Sequence, residues 1–305
     1  MDKAEGYFDS HLHLDLLPNW MSARNRWQGH QYKLDYFKSL EKPLILNVAI
    51  YPFWKSGFDK LEQHISSFLK FIENQSQVRL LKSKTDLNCL DGVNIVLHLE
   101  SGRILSNPQK EIEILHNLGV RGIIPVHFLN NDFGFSCDDP RNKSLKNKQF
   151  GLTEKGRELV KVCNKFQMWL DISHAETKTA EGIIQHADKV MASHVGLKGI
   201  VDSPRNISLL LAQKIAAKNG IIGLMPWTRL NGNSSENYLK AFQIAIDKNL
   251  ENNLTIGTDF GAPLKTPYDI KSIKNIEQLL DSPNFPTSKI LWENGLNWLN
   301  FALPR

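Results

Sequence analysis

Eight apolar stretches of strand length recur along the chain, and most are followed by a segment whose apolar residues repeat at three- and four-residue spacing. The expected strands are Tyr7 to His13, Leu44 to Tyr51, Asn94 to Ser101, Arg121 to Phe128, Gln167 to His174, Lys189 to Val195, Gly220 to Trp227 and Asn253 to Gly261. The expected helices are Asp59 to Glu73, Gln109 to Leu118, Thr153 to Phe166, Thr177 to Ala187, Ser208 to Asn219 and Asn237 to Asn249, with Asp269 to Leu280 and Thr287 to Ala302 in the tail. Thr153 stands where a helix cap belongs, and Gly220 where the left-handed residue after a helix belongs. Eight such alternations are what a closed (β/α)8 TIM barrel requires, and 305 residues is a little above the usual size of about 250. An open doubly wound sheet is the competing arrangement. Without a linker, low-complexity tract or internal repeat, residues 1–305 read as a single domain.

The segment Gln167 to Asn206 carries the most chemistry. It reads as one strand-helix-strand unit whose strands are continuous apolar runs, as in a parallel sheet covered on both faces. Each strand ends in a histidine, His174 and His194. In α/β proteins ligands bind at the carboxyl ends of strands, so both would face one site. The same test over the other strands finds His11 and His13, Glu100, His127 and Asp259. Histidines two apart on a strand share a face, so His11 and His13 can hold one metal ion jointly. His174 and His194 can supply a second. Glu100 can bridge two cations and offset their repulsion, leaving Asp259 for proton transfer.

A single strand-end histidine is more often a hydrogen-bonded structural residue than a ligand. Five of them converging with two acids argue for a metal site. His30, His64, His98, His116 and His186 fall in loops, in helices or short of a strand end and read as structural, although His98 is two residues from Glu100 and shares its face. Asp9 and Asp171 precede ligand candidates and are expected to support them rather than ligate.

Lys and Arg outnumber Asp and Glu by 37 to 32, but the charges are mixed along the chain without a basic block, which argues against nucleic acid as a partner. Cys89, Cys137 and Cys163 are an odd, widely spaced set that suggests neither a disulfide framework nor a cysteine zinc site. No apolar run approaches the roughly 18 residues of a membrane span, and the first residues lack the apolar core of a signal peptide. The expectation is a cytoplasmic protein that does not associate with a membrane.

The motif DSHLHLD around His11 and His13 resembles the amidohydrolase superfamily. More narrowly, the chain resembles the membrane dipeptidase (renal dipeptidase, peptidase M19) family through HLESG around Glu100, PVHFLNND around His127, GLTEKGRELV running into DISHAE, the segment from SHVG to SPRNIS, IGTDFGAP around Asp259 and the terminal NGLNWLNF. These matches run in family order over nearly the whole chain. The resemblance implies a barrel with two zinc ions, held by His11 and His13, by Glu100 as the bridge, and by His174 and His194. It implies that His127 contacts the substrate carbonyl and the developing oxyanion, that Arg205 binds the substrate carboxylate, and that Asp259 shuttles the proton. Family members are often dimers, which makes a homodimer the assembly to test. His13 stands where the family usually has aspartate, and the segment after the first strand is compact.

Together these features predict a zinc dipeptidase acting on dipeptides or similar small N-acyl amino acids. Two other readings stay open on sequence alone. One is a TatD-like metal-dependent nuclease or phosphoesterase, which DSHLHLD also evokes. The other is a catalytically inactive metal-binding barrel.

Overall fold

A computed structural model describes residues 3–14, 33–52, 57–145, 150–262 and 264–305. The strands are β1 (Tyr7–Leu12), β2 (Leu44–Ile50), β3 (Val78–Leu80), β4 (Val93–Glu100), β5 (Val120–Ile124), β6 (Trp169–Asp171), β7 (Val190–Leu197), β8 (Asn206–Ile207), β9 (Ile222–Leu224) and β10 (Leu254–Ile256). Eight of them pair in parallel in the order β2-β1-β10-β9-β7-β6-β5-β4, and β2 also pairs with β4. That last pairing closes the ring. The chain is therefore a (β/α)8 barrel, and the open sheet is ruled out.

The two additional strands lie outside the ring of eight. β3 runs beside the first half of β4, with Val78 opposite Val93, and β8 pairs Asn206 and Ile207 with Gly196 and Leu197 at the far end of β7. The second pairing explains why β7 continues past His194, where the sequence suggested it would end. Four other strands stop three or more residues sooner than expected: β5 at Ile124, β6 at Asp171, β9 at Leu224 and β10 at Ile256. His127, His174 and Asp259 consequently sit on the loops three residues beyond β5, β6 and β10. Apolar content continues into these loops because they are buried, so periodicity alone could not locate the strand ends.

The outer helices are α1 (Leu34–Lys38), α2 (Phe58–Glu73), α3 (Pro108–Asn117), α4 (Glu154–Lys165), α5 (Thr177–His186), α6 (Leu209–Ala216), α7 (Thr228–Asn231), α8 (Ser235–Ile246) and α9 (Ile273–Leu280), with α10 (Asn294–Ala302) continuing from a π-helical turn at Lys289–Glu293. Each long helix buries one stripe. In α2 it is Leu61, Ile65, Phe68 and Ile72, spaced by four, three and four residues as a helix facing a core requires. Thr153 caps α4, its Oγ1 accepting from the Gly156 N–H at 2.9 Å. At the end of α6 the expectation is corrected. Asn219, with φ 56°, takes the left-handed position, and the Gly220 N–H returns to the Ile215 carbonyl at 3.0 Å. Gly220 is small for another reason: a Cβ there would stand 2.4 Å from the Val190 carbonyl oxygen.

Inside the barrel, side chains stack in layers, as alternation along strands requires. The lower layer holds Phe8, Ile45, Val96, Trp169 and Met191, and α10 closes it from below with Trp298 and Leu299. Two residues further along β2, β4, β6 and β7 come Asn47, His98, Asp171 and Ser193, all buried. The apolar floor thus gives way to a polar layer, and Glu100 lies above it. Among the described residues no helix is long and apolar enough to cross a membrane. Much of the irregular stretch after β1, including His30, lies outside the described residues.

Candidate metal centre and active site

Irregularities in the strands bring the site together. The pairing of β1 with β2 shifts register between Asp9 and Leu12, and that of β7 with β9 between Ala192 and Val195. Such shifts re-aim side chains, so the neighbours Ser193 and His194 both face the site. Beyond β10 the chain is zipped to β1: the Asp259 N–H donates to the His11 carbonyl and the His13 N–H to the Phe260 carbonyl, both at 2.8 Å. Asp9 secures the same corner, accepting from the Thr258 hydroxyl at 2.6 Å and the Thr258 N–H at 3.0 Å. Asp171 accepts from the N–H groups of Ser173 and Ser193, tying β6 to β7. Both aspartates support neighbours, and burial raises the pKa of each, Asp9 to about 7.

Glu100 is the hub. Its Oε1 lies 3.1 Å from His127 Nε2, 3.6 Å from His11 Nε2 and 4.0 Å from His174 Nε2, and its Oε2 lies 3.3 Å from His13 Nε2. Asp259 Oδ1 stands opposite, 3.3 Å from His13 Nε2 and 3.6 Å from His11 Nε2. On the other side His174 Nε2 and His194 Nε2 face each other at 3.0 Å. Arg205 joins through its Nη2, which donates to the His194 carbonyl at 3.2 Å. All eight residues singled out in the sequence are buried in this one constellation.

The electrostatics suit cation binding. Burial works to raise the Glu100 pKa, but the surrounding histidines, His127 and His13 foremost, hold it well below the usual carboxylate range. Burial and neighbouring cations push His174 and His194 well below the usual histidine value, so both rings are neutral and can present lone pairs. The Nδ1 atoms have outward neighbours: Asp138 Oδ2 at 3.5 Å from that of His174, and Ser193 Oγ at 2.8 Å from that of His194. The two Nε2 atoms share one space, where either one ring donates to the other or, with each Nδ1–H turned outward, both lone pairs await a cation. His11 Nε2 and Asp259 Oδ1 are buried without a hydrogen bond among the described residues. Among the described residues four buried groups have ligand atoms close enough to share an ion: His11 with Glu100 and His194; His11 with His13 and Asp259; Glu100 with His127 and His174; and, deeper, His11 with His98 and Asp171. Mixed imidazole and carboxylate donors of this kind fit zinc and similar divalent ions.

Four of the eight described non-glycine residues with positive φ belong to the site or its rim: Ser101 (128°), Phe128 (35°), His174 (68°) and Asp259 (53°). Side chains held in that region carry local strain, which concentrates where function fixes a geometry. Phe128 is 42% exposed and packs edge-on against His127 and His174, with ring centroids 4.1 and 5.1 Å away.

Several residues here carry no signal that sequence reasoning recognised. Asp138, in the loop after β5, places Oδ2 3.5 Å from Arg205 Nε and Oδ1 2.9 Å from Arg229 Nη2. Nothing periodic marks Asp138 or Arg229. His98, read as structural, contacts His11, and its position two residues before Glu100 was the available clue.

The comparisons with known proteins agree with this geometry. A model of the membrane dipeptidase family, peptidase family M19, matches residues 35–298. An uncharacterized protein in the pqqA 5′ region of Klebsiella pneumoniae is 24% identical over 260 residues, which is 79% of this chain and 95% of that protein. Among solved structures, dipeptidase AC, a metallopeptidase of family M19, superposes with a TM-score of 0.80 at 20% identity, covering 99% of this chain and 100% of the other. A metallopeptidase from Rhodobacter sphaeroides, solved with a phosphinate mimic of the dipeptide L-Ala-D-Ala, gives a TM-score of 0.80 at 20% identity, over 98% of this chain and 100% of that one. The chain belongs to the membrane dipeptidase family, the metal-dependent dipeptidases of peptidase family M19.

Proposed function

We propose that the protein, acting as one domain over residues 1–305, is a zinc dipeptidase with two ions, cleaving the amide bond of dipeptides or similar small N-acyl amino acids. The observation that carries this reading is Glu100, a single carboxylate within 4.0 Å of four histidine nitrogens, with Asp259 across from it. His11 and His13 would hold one ion, His174 and His194 the other, and Glu100 would serve both. His13 puts an imidazole where relatives usually carry aspartate; burial works to lower its pKa, but its neighbours Glu100 and Asp259 raise it and supply the negative charge. When bound, the ions supply Lewis acidity and a water acidic enough to ionise near neutral pH.

The remaining roles fall to the chain itself. Asp259 Oδ1 is free of hydrogen bonds among the described residues, so it can accept the proton of the attacking water and return it to the leaving nitrogen. His127 would donate to the carbonyl oxygen as negative charge develops there. Arg205 Nη1 is buried without a hydrogen bond among the described residues, while its Nε faces Asp138 and its Nη2 the His194 carbonyl, so the guanidinium can meet a terminal carboxylate through Nη1. That preference selects small substrates with a free carboxyl group. The phosphinate dipeptide mimic bound by the Rhodobacter relative supports the same class.

The test is elemental analysis joined to a dipeptide panel that includes D-configured carboxyl-terminal residues, on wild type and Asp259→Asn. We expect about two zinc ions per chain and turnover that falls by roughly 10²–10⁴ in the variant while the metal stays bound. Bound metal without turnover would redirect the assignment to phosphodiesters and then to a binding role. No metal in protein supplied with zinc would sink the site.

A further inference from the structure

Beneath the candidate metal site three buried side chains form a line. The Asn47 amide nitrogen donates to the Ser10 carbonyl at 2.9 Å, which turns Asn47 Oδ1 toward His98 Nδ1, also at 2.9 Å. His98 Nε2 in turn lies 3.0 Å from His11 Nδ1. Asn47 is 2% exposed, and His98 and His11 are 0% exposed, so the line is shut off from bulk solvent.

An amide oxygen only accepts hydrogen bonds, so His98 Nδ1 must carry a proton. A neutral imidazole has one N–H, which leaves His98 Nε2 bare and able only to accept. His11 must then donate from Nδ1. In a neutral His11 the single proton is thereby placed, and Nε2 is left as a lone pair aimed between Glu100 and Asp259, each 3.6 Å away. One escape is a doubly protonated His11, whose second proton on Nε2 would face Glu100 and Asp259 and show in its nitrogen-15 resonances; the other is a doubly protonated His98. That would be a fully buried cation whose two nitrogens face an amide oxygen and another imidazole, an arrangement that low dielectric penalises heavily. Ser193 Oγ, 3.3 Å from His11 Nδ1, does not decide the matter, because a hydroxyl accepts as readily as it donates.

We propose that Asn47 and His98 are positioning residues that set the tautomer of His11, holding its proton on Nδ1 so that Nε2 stands ready as a metal ligand before any ion arrives. Ligating histidines are commonly oriented by a carboxylate or a backbone carbonyl. Here the orienting group is a second imidazole, itself fixed by an amide. This choice adds no negative charge below a site that already contains Glu100 and Asp259. It also accounts for the deeper group of His11, His98 and Asp171, whose ligand atoms lie close enough to suggest an ion. Both His98 nitrogens are engaged, so that group serves the upper site and is not a further metal centre.

The proposal rests on the reading of His11 as a ligand only in its second arm, and the test separates the two. The first arm is nitrogen-15 NMR of histidine-labelled, metal-free protein, with the His11 resonances assigned by their loss in His11→Asn. His11 and His98 should both show a protonated Nδ1 and a bare Nε2. The second arm is zinc titration of wild type, His98→Met and His98→Gln. Methionine removes the acceptor, while the glutamine oxygen stands near where Nε2 stood. Zinc affinity at the His11 site should fall about 10- to 100-fold in His98→Met and return to within about threefold of wild type in His98→Gln. A His11 proton on Nε2 in the wild type would overturn the relay, as would His98→Met with unchanged tautomer and zinc affinity within about twofold of wild type. Should His98→Met fail to fold, the wild-type tautomer still decides. Should zinc not bind wild type at all, the ligand reading falls while the tautomer measurement continues to judge the relay.

Discussion

Replacing Asp138 by asparagine isolates the charge that holds the substrate side of the site together. The Asp138 side chain is 5% exposed and is reached by Arg229 at 2.9 Å and by Arg205 and His174 at 3.5 Å. Burial works to raise its pKa, but the His174 ring and the two guanidinium groups outweigh burial and pull the carboxyl down to about 2. A carboxylate depressed in the folded state stabilises the protein above its unfolded pKa of about 3.9, and that contribution is lost as pH falls through the folded value. At about 1.4 kcal/mol per unit, a depression of almost two units is worth about 2 kcal/mol at pH 7 and roughly half of that at pH 3. Asparagine also leaves buried Arg205 without its anion, so the loss at pH 7 should be at least about 2 kcal/mol. Urea unfolding of wild type and Asp138→Asn, both metal-free, at pH 7 and pH 3 measures the difference. A loss below about 0.5 kcal/mol at pH 7, or one that does not shrink at pH 3, would refute the reasoning.

How much of this was legible beforehand depends on how local the signal is. The alternation of apolar runs with helical periods located all eight barrel strands, because each element advertises itself within its own residues. Strand ends were less legible, since His127, His174 and Asp259 lie on buried loops that stay apolar past the last ladder hydrogen bond. The site histidines could be gathered from sequence because the barrel places every strand end on one rim, so position along a strand substitutes for position in space. Asp138 and Arg229 offered no such route. They meet between the loop after β5 and the short helix α7, and their pairing depends on a fold of the segment after β5 that no period encodes. His98 lay between these cases: its face was readable, but its contact with His11 required the β1 irregularity. The first glycine of IGTDFGAP is intelligible only in three dimensions, where Gly257 passes the Ser193 carbonyl.

Two further outcomes follow from the same geometry. Zinc in excess should raise the thermal midpoint of the wild type, since a ligand at about 100 times its dissociation constant contributes roughly 2.7 kcal/mol per site. Glu100→Gln, which keeps the shape but removes the shared charge, should lose most of that shift, and a full shift in the variant would show that Glu100 does not serve the ions. Gly257→Ala probes the approach of β10 to β7. An added Cβ would stand 1.8 Å from the Ser193 carbonyl oxygen and 2.9 Å from Ser10 Oγ, and the first of these is backbone that cannot rotate away. Relief requires moving β10 or the chain at Ser193. Overpacking of this kind costs about 1–3 kcal/mol, and a backbone clash places this substitution at the upper end. Because Ser193 precedes His194 and contacts its Nδ1, the displacement should also weaken the second ion, so urea unfolding and zinc stoichiometry are expected to fall together. A variant that unfolds like wild type and still binds two ions would mean that β10 yields at Gly257 without disturbing His194, and the tight passage of these strands would then have no part in building the site.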